Sequence, residues 1–207
     1  MPTVKHLIRA PRRRRTDPNG QSLVEFALVF PIFFVLLMGM IEFGLVFNAL
    51  LSINFASRDG SLIAAEAGNA VGADCVILER IESSIGAPAS KTRITNVQIY
   101  KANKNGVQIG GFVNTYNRTG STTCTLSAGP PAVTITVPYT ITGGYGYADT
   151  TRCNVQGGCG GSGGVDTIGV KITYAYNFIT PMGSFIGLGI SNFTLVEANA
   201  MRMEPVL

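Results

Sequence analysis

The spacing of apolar residues changes twice along the chain. From Phe26 to Ile41 the sequence FALVFPIFFVLLMGMI carries no charge, and after Glu42 the apolar character resumes as FGLVFNALL. A helix needs about 20 predominantly apolar residues to cross a bilayer. Residues 23–51 supply them, with Glu25 near one end and Glu42 well inside, so the pattern predicts one membrane-spanning helix. Beyond Leu51 the sequence stays rich in alanine and other small residues. The helix is expected to leave the membrane and run on, with Gly60 and Gly68 as its weak points. A second helix is predicted from Ala73 to Ser84, where Val76, Ile77, Arg80 and Ile81 recur at the spacing of one amphipathic face; it should cover a sheet.

From Thr92 onward the period falls to two. Val133, Ile135, Val137, Tyr139 and Ile141 alternate with Thr134, Thr136, Pro138, Thr140 and Thr142, the signature of a half-buried strand whose proline suits a sheet edge. Ile168, Val170, Ile172, Tyr174, Tyr176 and Phe178 form a second such series. Shorter strands are expected at residues 93–101, 107–115 and 193–198, with Lys104-Asn105-Gly106 as a hairpin turn between the first two. About five antiparallel strands and two helices make the fold class α+β. The expected organisation is a leader over residues 1–20, a transmembrane and extended helix over 21–71, and an outer α+β domain over 72–207.

Charge adds an orientation. The 207 residues are 46% apolar and 14% charged, with a net charge of +4. Residues 1–20 hold six Lys and Arg against Asp17 alone, a local +5, which leaves ten cations against eleven acids, or −1, for the remainder. A basic run just before a membrane span is a topology determinant by the positive-inside rule. The N-terminus is therefore expected in the cytoplasm and the bulk of the chain outside; Arg12–Arg15 as a nucleic-acid patch is the weaker reading, and no nucleic-acid partner is expected. The only histidine, His6, lies in the same leader. The rest of the chain thus lacks an imidazole for a nucleophile–base pair or a mixed metal site, and the expectation is a non-enzyme with no cofactor and no metal.

Cys75, Cys124, Cys153 and Cys159 all fall on the outer side, where an even number of cysteines favours disulfides. Of three connectivities, Cys153 with Cys159 would close a short loop, and Cys75 with Cys124 would tie the second helix to the sheet. Gly158-x-Gly160-x-x-Gly163 formally matches a dinucleotide fingerprint, but it leads into a strand instead of opening a helix, so the glycine-rich run is expected to be a long flexible surface loop. Asp149 and Asp166 at its ends are a thin candidate for calcium.

The junction before the apolar run carries the sharpest signal. Pro18-Asn19-Gly20 reads as a turn-like breaker, and Gln21-Ser22-Leu23-Val24-Glu25-Phe26 begins the helix. No small-residue cleavage motif follows Leu51, as a secretory signal peptide would require. The order of basic leader, Gly20, four residues, Glu25, Phe26 and an apolar helix resembles the processing site of type IV prepilins. Over residues 20–58, with Val24-Glu25-Phe26-Ala27, Pro31, the Gly39/Glu42/Gly44 cluster and Arg58-Asp59-Gly60, the chain resembles the TadE-like family, the minor pseudopilins of tight-adherence (Tad, Flp-type) pili; these residues do not separate TadE from TadF.

That resemblance implies a processing site at Gly20 and Gln21, cut by a prepilin peptidase, and an assembly role for Glu25, Phe26, Pro31 and Glu42. It also implies other Tad pilins and pseudopilins as partners, together with the lipid of a bacterial inner membrane. The location it implies is a single-pass inner-membrane protein with a periplasmic domain, destined for the extracellular pilus on assembly. Pro31 removes one backbone hydrogen bond, so a kink or melted turn is expected there. Glu42 could meet a neighbouring subunit or only approach the outer interface. The competing reading is an uncleaved, single-pass anchored periplasmic binding module; an extracytoplasmic hydrolase is the poorest, because no histidine and no evident carboxylate pair serve it.

Overall fold

The computed structural model describes residues 18–126, 133–155, 159, 164–181 and 192–204. It divides into two compact units, residues 1–40 and 41–207. Helix α1, Pro18–Ala67, begins in the first and ends in the second.

In the first unit every described side chain from Gly20 to Leu37 is exposed, including Leu23, Phe26, Leu28, Phe33 and Leu36. Phe26, Phe30 and Phe34 stack along one face at the i, i+4 spacing, with ring centroids 5.3 and 5.9 Å apart. A helix apolar all round needs an apolar surrounding. Among the described residues this is the one helix whose length and composition suit a membrane span. It runs unbroken through Pro31, so no turn is melted there, and Pro18–Gly20 are already helical instead of forming a breaker. Proline tolerates the first turn of a helix because its missing N–H is not needed there.

The second unit has two layers. A five-stranded antiparallel sheet has the order β5-β2-β1-β6-β7, with β1 Ile94–Ala102, β2 Gln108–Asn117, β5 Thr140–Tyr145, β6 Thr167–Asn177 and β7 Asn192–Arg202. One face is covered by residues 41–67 of α1 and by α2, Ala73–Ser84. Ala49, Ile53 and Ala56 of α1 share a core with Ile77, Leu78 and Ile81 of α2 and with Val97, Ile99, Val170, Ile172 and Tyr174 of the sheet. A separate hairpin, β3 Thr122–Leu126 with β4 Val133–Val137, packs on α2. The α+β class is as predicted.

Helix α1 ends where glycine allows it. Gly68 has φ +58, the left-handed position that stops a helix after its last turn. Gly60 is no weak point: a Cβ there would lie 2.9 Å from Ile81 Cγ1 and 3.3 Å from Val170 Cγ1, so glycine lets α1 sit close to both α2 and β6. Along α2 the buried set is Ala73, Asp74, Cys75, Ile77, Leu78 and Ile81. Arg80 points out instead, pairing with Asp59 at 3.2 Å.

Three further expectations need correction. The alternation from Val133 to Ile141 is two strands in two different sheets, because the chain breaks at Pro138, which cannot donate to a ladder. The described residues hold seven strands instead of five, β3 being the one without a sequence signal. The glycine-rich stretch is not a loose surface loop over its described part: Tyr147, Arg152, Cys153, Asn154 and Asp166 are all buried. By contrast, the turn around Gly106 (φ +77) closes β1 onto β2 as predicted, with the Asn103 N–H donating to the Val107 carbonyl at 2.8 Å.

Candidate functional site

The residues of the predicted processing motif lie together at the start of α1. Gly20 is exposed, with nothing within 4 Å of where a Cβ would stand. One turn on, the Gln21 side-chain amide donates to Glu25 Oε1 at 3.1 Å. That amide is neutral, so the Glu25 charge has no counter-ion within these residues. Phe26 and Pro31 face outward with the rest of the segment. The motif's side chains are therefore exposed, and no other element among the described residues covers them.

Glu42 is placed differently. It is only 4% exposed, and its two carboxylate oxygens take four hydrogen bonds from the end of β6 and the chain that follows it. Tyr176 Oη and the Ile179 N–H donate to Oε1 at 2.7 and 3.2 Å, and the Thr180 N–H and hydroxyl donate to Oε2 at 2.8 and 2.6 Å. A buried carboxylate is costly unless its lone pairs are satisfied. Here the domain satisfies them and joins helix α1 to the end of β6. Periodicity marks Tyr176 only as a core position, so this pairing has no local signature.

Four cysteines form two pairs, Cys75 with Cys124 and Cys153 with Cys159, at Cα–Cα distances of 6.2 and 5.3 Å. Both lie in the range a disulfide spans, and they match the preferred pairing. The first joins α2 to β3; the second closes a short loop behind Arg152.

Between α2 and the β5–β6 connection lies a buried polar network that sequence spacing did not reveal. Asp74 Oδ1 pairs with Arg152, whose side chain is 1% exposed, while Asp74 Oδ2 accepts from Asn114 Nδ2 at 2.7 Å and Tyr116 Oη at 2.6 Å. Arg152 also lies over the Tyr147 ring, 5.0 Å from its centroid. Asp166 accepts from Tyr147 Oη at 2.9 Å and from the Cys153 N–H at 3.1 Å, and pairs with Lys101 at 2.7 Å. Burial above all, and then the neighbouring carboxylate, holds the Tyr116 and Tyr147 phenols far above their ordinary range.

This network answers the calcium expectation. Asp166 is taken up as described, and Asp149 accepts from the Gly72 N–H and the Thr150 N–H, both at 2.8 Å. The two carboxylates do not converge, and no acid, cysteine or histidine cluster suited to a metal occurs among the described residues. A cleft of about 370 Å³ beside the Cys75–Cys124 bridge has Asp74 and Asp149 in its wall, but both carboxylates are already bonded within the domain. Gly158, Gly160 and Gly163 of the formal dinucleotide pattern lie outside the described residues.

Comparison with known proteins agrees with the motif. Residues 20–62 match the family model described as TadE-like protein, the family expected from residues 20–58. The match spans 43 of the 207 residues. It covers the helix and stops short of α2 and the sheet. No curated protein and no solved structure matches the chain.

Proposed function

We propose that this chain is a minor pseudopilin of a Tad-type pilus, made as a precursor, cut after Gly20 by a prepilin peptidase, and packed through the exposed part of α1 against neighbouring pilin helices. The observation that supports this most is the conjunction at the start of α1: an open Gly20, Glu25 and Phe26 one and a half turns on, and a bare apolar helix, all within the TadE-like match. The chain itself performs no catalysis in this role. The leader holds the precursor at the cytoplasmic face, each cation contributing about 1 kcal/mol against anionic lipid. Cleavage removes that hold. The domain then stays in the periplasm until assembly carries it outward, and its two disulfides suit that oxidising compartment.

The test is the mass of the protein extracted from native membranes and its N-terminal sequence. A start at Gln21 supports a pseudopilin, and Gly20→Phe should accumulate the full-length precursor, because the peptidase must accommodate a residue without a side chain beside the cut. A start at Met1 in the wild type would turn the chain into an uncleaved anchored module; unchanged trimming of Gly20→Phe would show that the cut does not follow Gly20.

A further inference from the structure

The cleft of about 370 Å³ lies wholly within the second unit, and the Cys75–Cys124 bridge is part of its wall, together with Val71, Gly72, Tyr145 and Asp149. Solvent that fills the cleft therefore reaches a disulfide.

The two cysteines meet that solvent unequally. Cys75, the third residue of α2, is 2% exposed and belongs to the core, whereas Cys124 of β3 is half-buried at the core's margin. A thiolate opens a disulfide by striking one sulfur and expelling the other, so access decides which one is struck. Here it is the sulfur of Cys124, and the leaving group is Cys75.

Opening the bridge can stay local. Strands β3 and β4 pair only with each other and share no ladder with the five-stranded sheet. One end of the hairpin is anchored without the bridge, by buried Val137 and by the Thr122 hydroxyl, which donates to the Tyr139 carbonyl at 2.7 Å. Towards the other end Thr125 and Val133 are exposed and Leu126 is half-buried, so the bridge is the main tie there.

Charge selects what enters. Of the acids in the wall, Asp74 is neutralised by Arg152, whereas Asp149 takes two backbone N–H groups and forms no ion pair among the described residues. The wall thus carries one negative charge beside the bridge and favours a neutral or cationic thiol over an anionic one.

We infer that the Cys75–Cys124 bridge is a thiol–disulfide exchange site, entered through this cleft at Cys124 by a dithiol, and that opening it frees the Leu126–Val133 end of the hairpin while α2 and the five-stranded sheet stay folded. One thiolate of the dithiol bonds to Cys124 Sγ, the S–S bond breaks, and its electron pair leaves on Cys75 Sγ, which takes a proton from water. The second thiol then displaces Cys124. The cystine gains two electrons, and the dithiol loses them in becoming a disulfide.

The test uses the oxidised full-length protein in detergent. It is treated with dithiothreitol, quenched with N-ethylmaleimide and mapped by mass spectrometry, so that each bridge is read separately. Reduction of Cys75–Cys124 should rise linearly with thiol concentration, and amide exchange should quicken in β3 and β4 while β1 and β6 remain protected. A rate that saturates at a ceiling set by unfolding, or exchange that quickens throughout the sheet, overturns the site. Monothiols in excess then locate the attack: the mixed disulfide should form on Cys124, and one found on Cys75 overturns the assignment. Cationic cysteamine should outpace anionic mercaptoethanesulfonate by about twofold to threefold at low salt, each rate taken relative to that with hydroxyethyl disulfide. In Asp149→Asn, which keeps an acceptor for the Gly72 N–H, that preference should vanish. A wild type without the preference, or a preference that survives in Asp149→Asn, means that thiols do not arrive through this cleft.

Discussion

At the scale of single residues, this protein places its polar groups according to what can satisfy them. Glu25 and Glu42 are both acids in an apolar helix, yet Glu42 finds four donors in its own domain and Glu25, among the described residues, finds only a neutral amide. The first is spent on holding the fold; the second still needs a partner. Gly169 shows the same economy in packing. The Tyr100 ring lies across it, and a Cβ at that position would fall on the ring itself. Tyr100 is buried there, its hydroxyl donating to the Gly106 carbonyl at 3.3 Å, so it has little room to yield. Gly169→Ala should therefore lower stability by about 1–3 kcal/mol through overpacking. In a Tyr100→Ala background the same change should cost much less. Thermal melts of the four proteins give the coupling; equal costs in both backgrounds would mean that the ring is not the obstacle.

At the scale of elements, what was legible followed from local period. The inward series Ile168, Val170, Ile172, Tyr174 and Tyr176 is buried as alternation requires, and α2 has the bounds its apolar spacing predicts. The start of α1 was legible for another reason: its chemistry is carried by consecutive residues. Long-range partners were not legible. Val133–Ile141 alternates without a fault, but only the fold shows that Pro138 hands the chain from one sheet to another. Arg152 sits in a sequence of glycines and polar residues, and its burial depends on Asp74, seventy-eight positions away. β3 has too few apolar residues to stand out, because a cystine does the work of a larger core. That bridge closes a separation of 49 residues, worth up to about 4 kcal/mol if it acts mainly on the unfolded chain. The β3–β4 hairpin is not hydrogen-bonded into the main sheet, and an isolated hairpin is marginal in water. In a Cys75→Ser/Cys124→Ser variant, limited proteolysis should cut within β3–β4 first and leave the five-stranded sheet resistant. A hairpin still protected would show that packing on α2 suffices.

At the scale of the whole molecule, the two units respond to different conditions. In the second unit Tyr116, Tyr139 and Tyr147 have their phenols held above the ordinary value, chiefly by burial and then by Asp74, Glu82 and Asp166. A folded-state pKa above the unfolded one gives stability that is whole below about pH 10 and is lost as pH rises further. Phenolate absorbance from these three should appear together with loss of circular dichroism; ionisation of all three with the fold intact would contradict their burial. In the proposed role the apolar unit depends on assembly instead. After cleavage, Glu25 would lie about 6 Å along the helix from the new Gln21 amine, just inside the apolar layer. An unpaired carboxylate there costs up to about 2.5–3.5 kcal/mol at full depth. The amine of its own chain or of a neighbour can neutralise it, and pairing with a neighbour would also set the axial register of adjacent helices. Glu25→Ala should therefore insert and be cut after Gly20 like wild type, since neither step needs the pair, yet fail to co-purify with pilus components. Mature mass and co-purification, measured on the same membranes, separate the steps. Normal co-assembly of Glu25→Ala would reduce the carboxylate to a residue favoured at a helix start and remove the electrostatic basis for its role in packing.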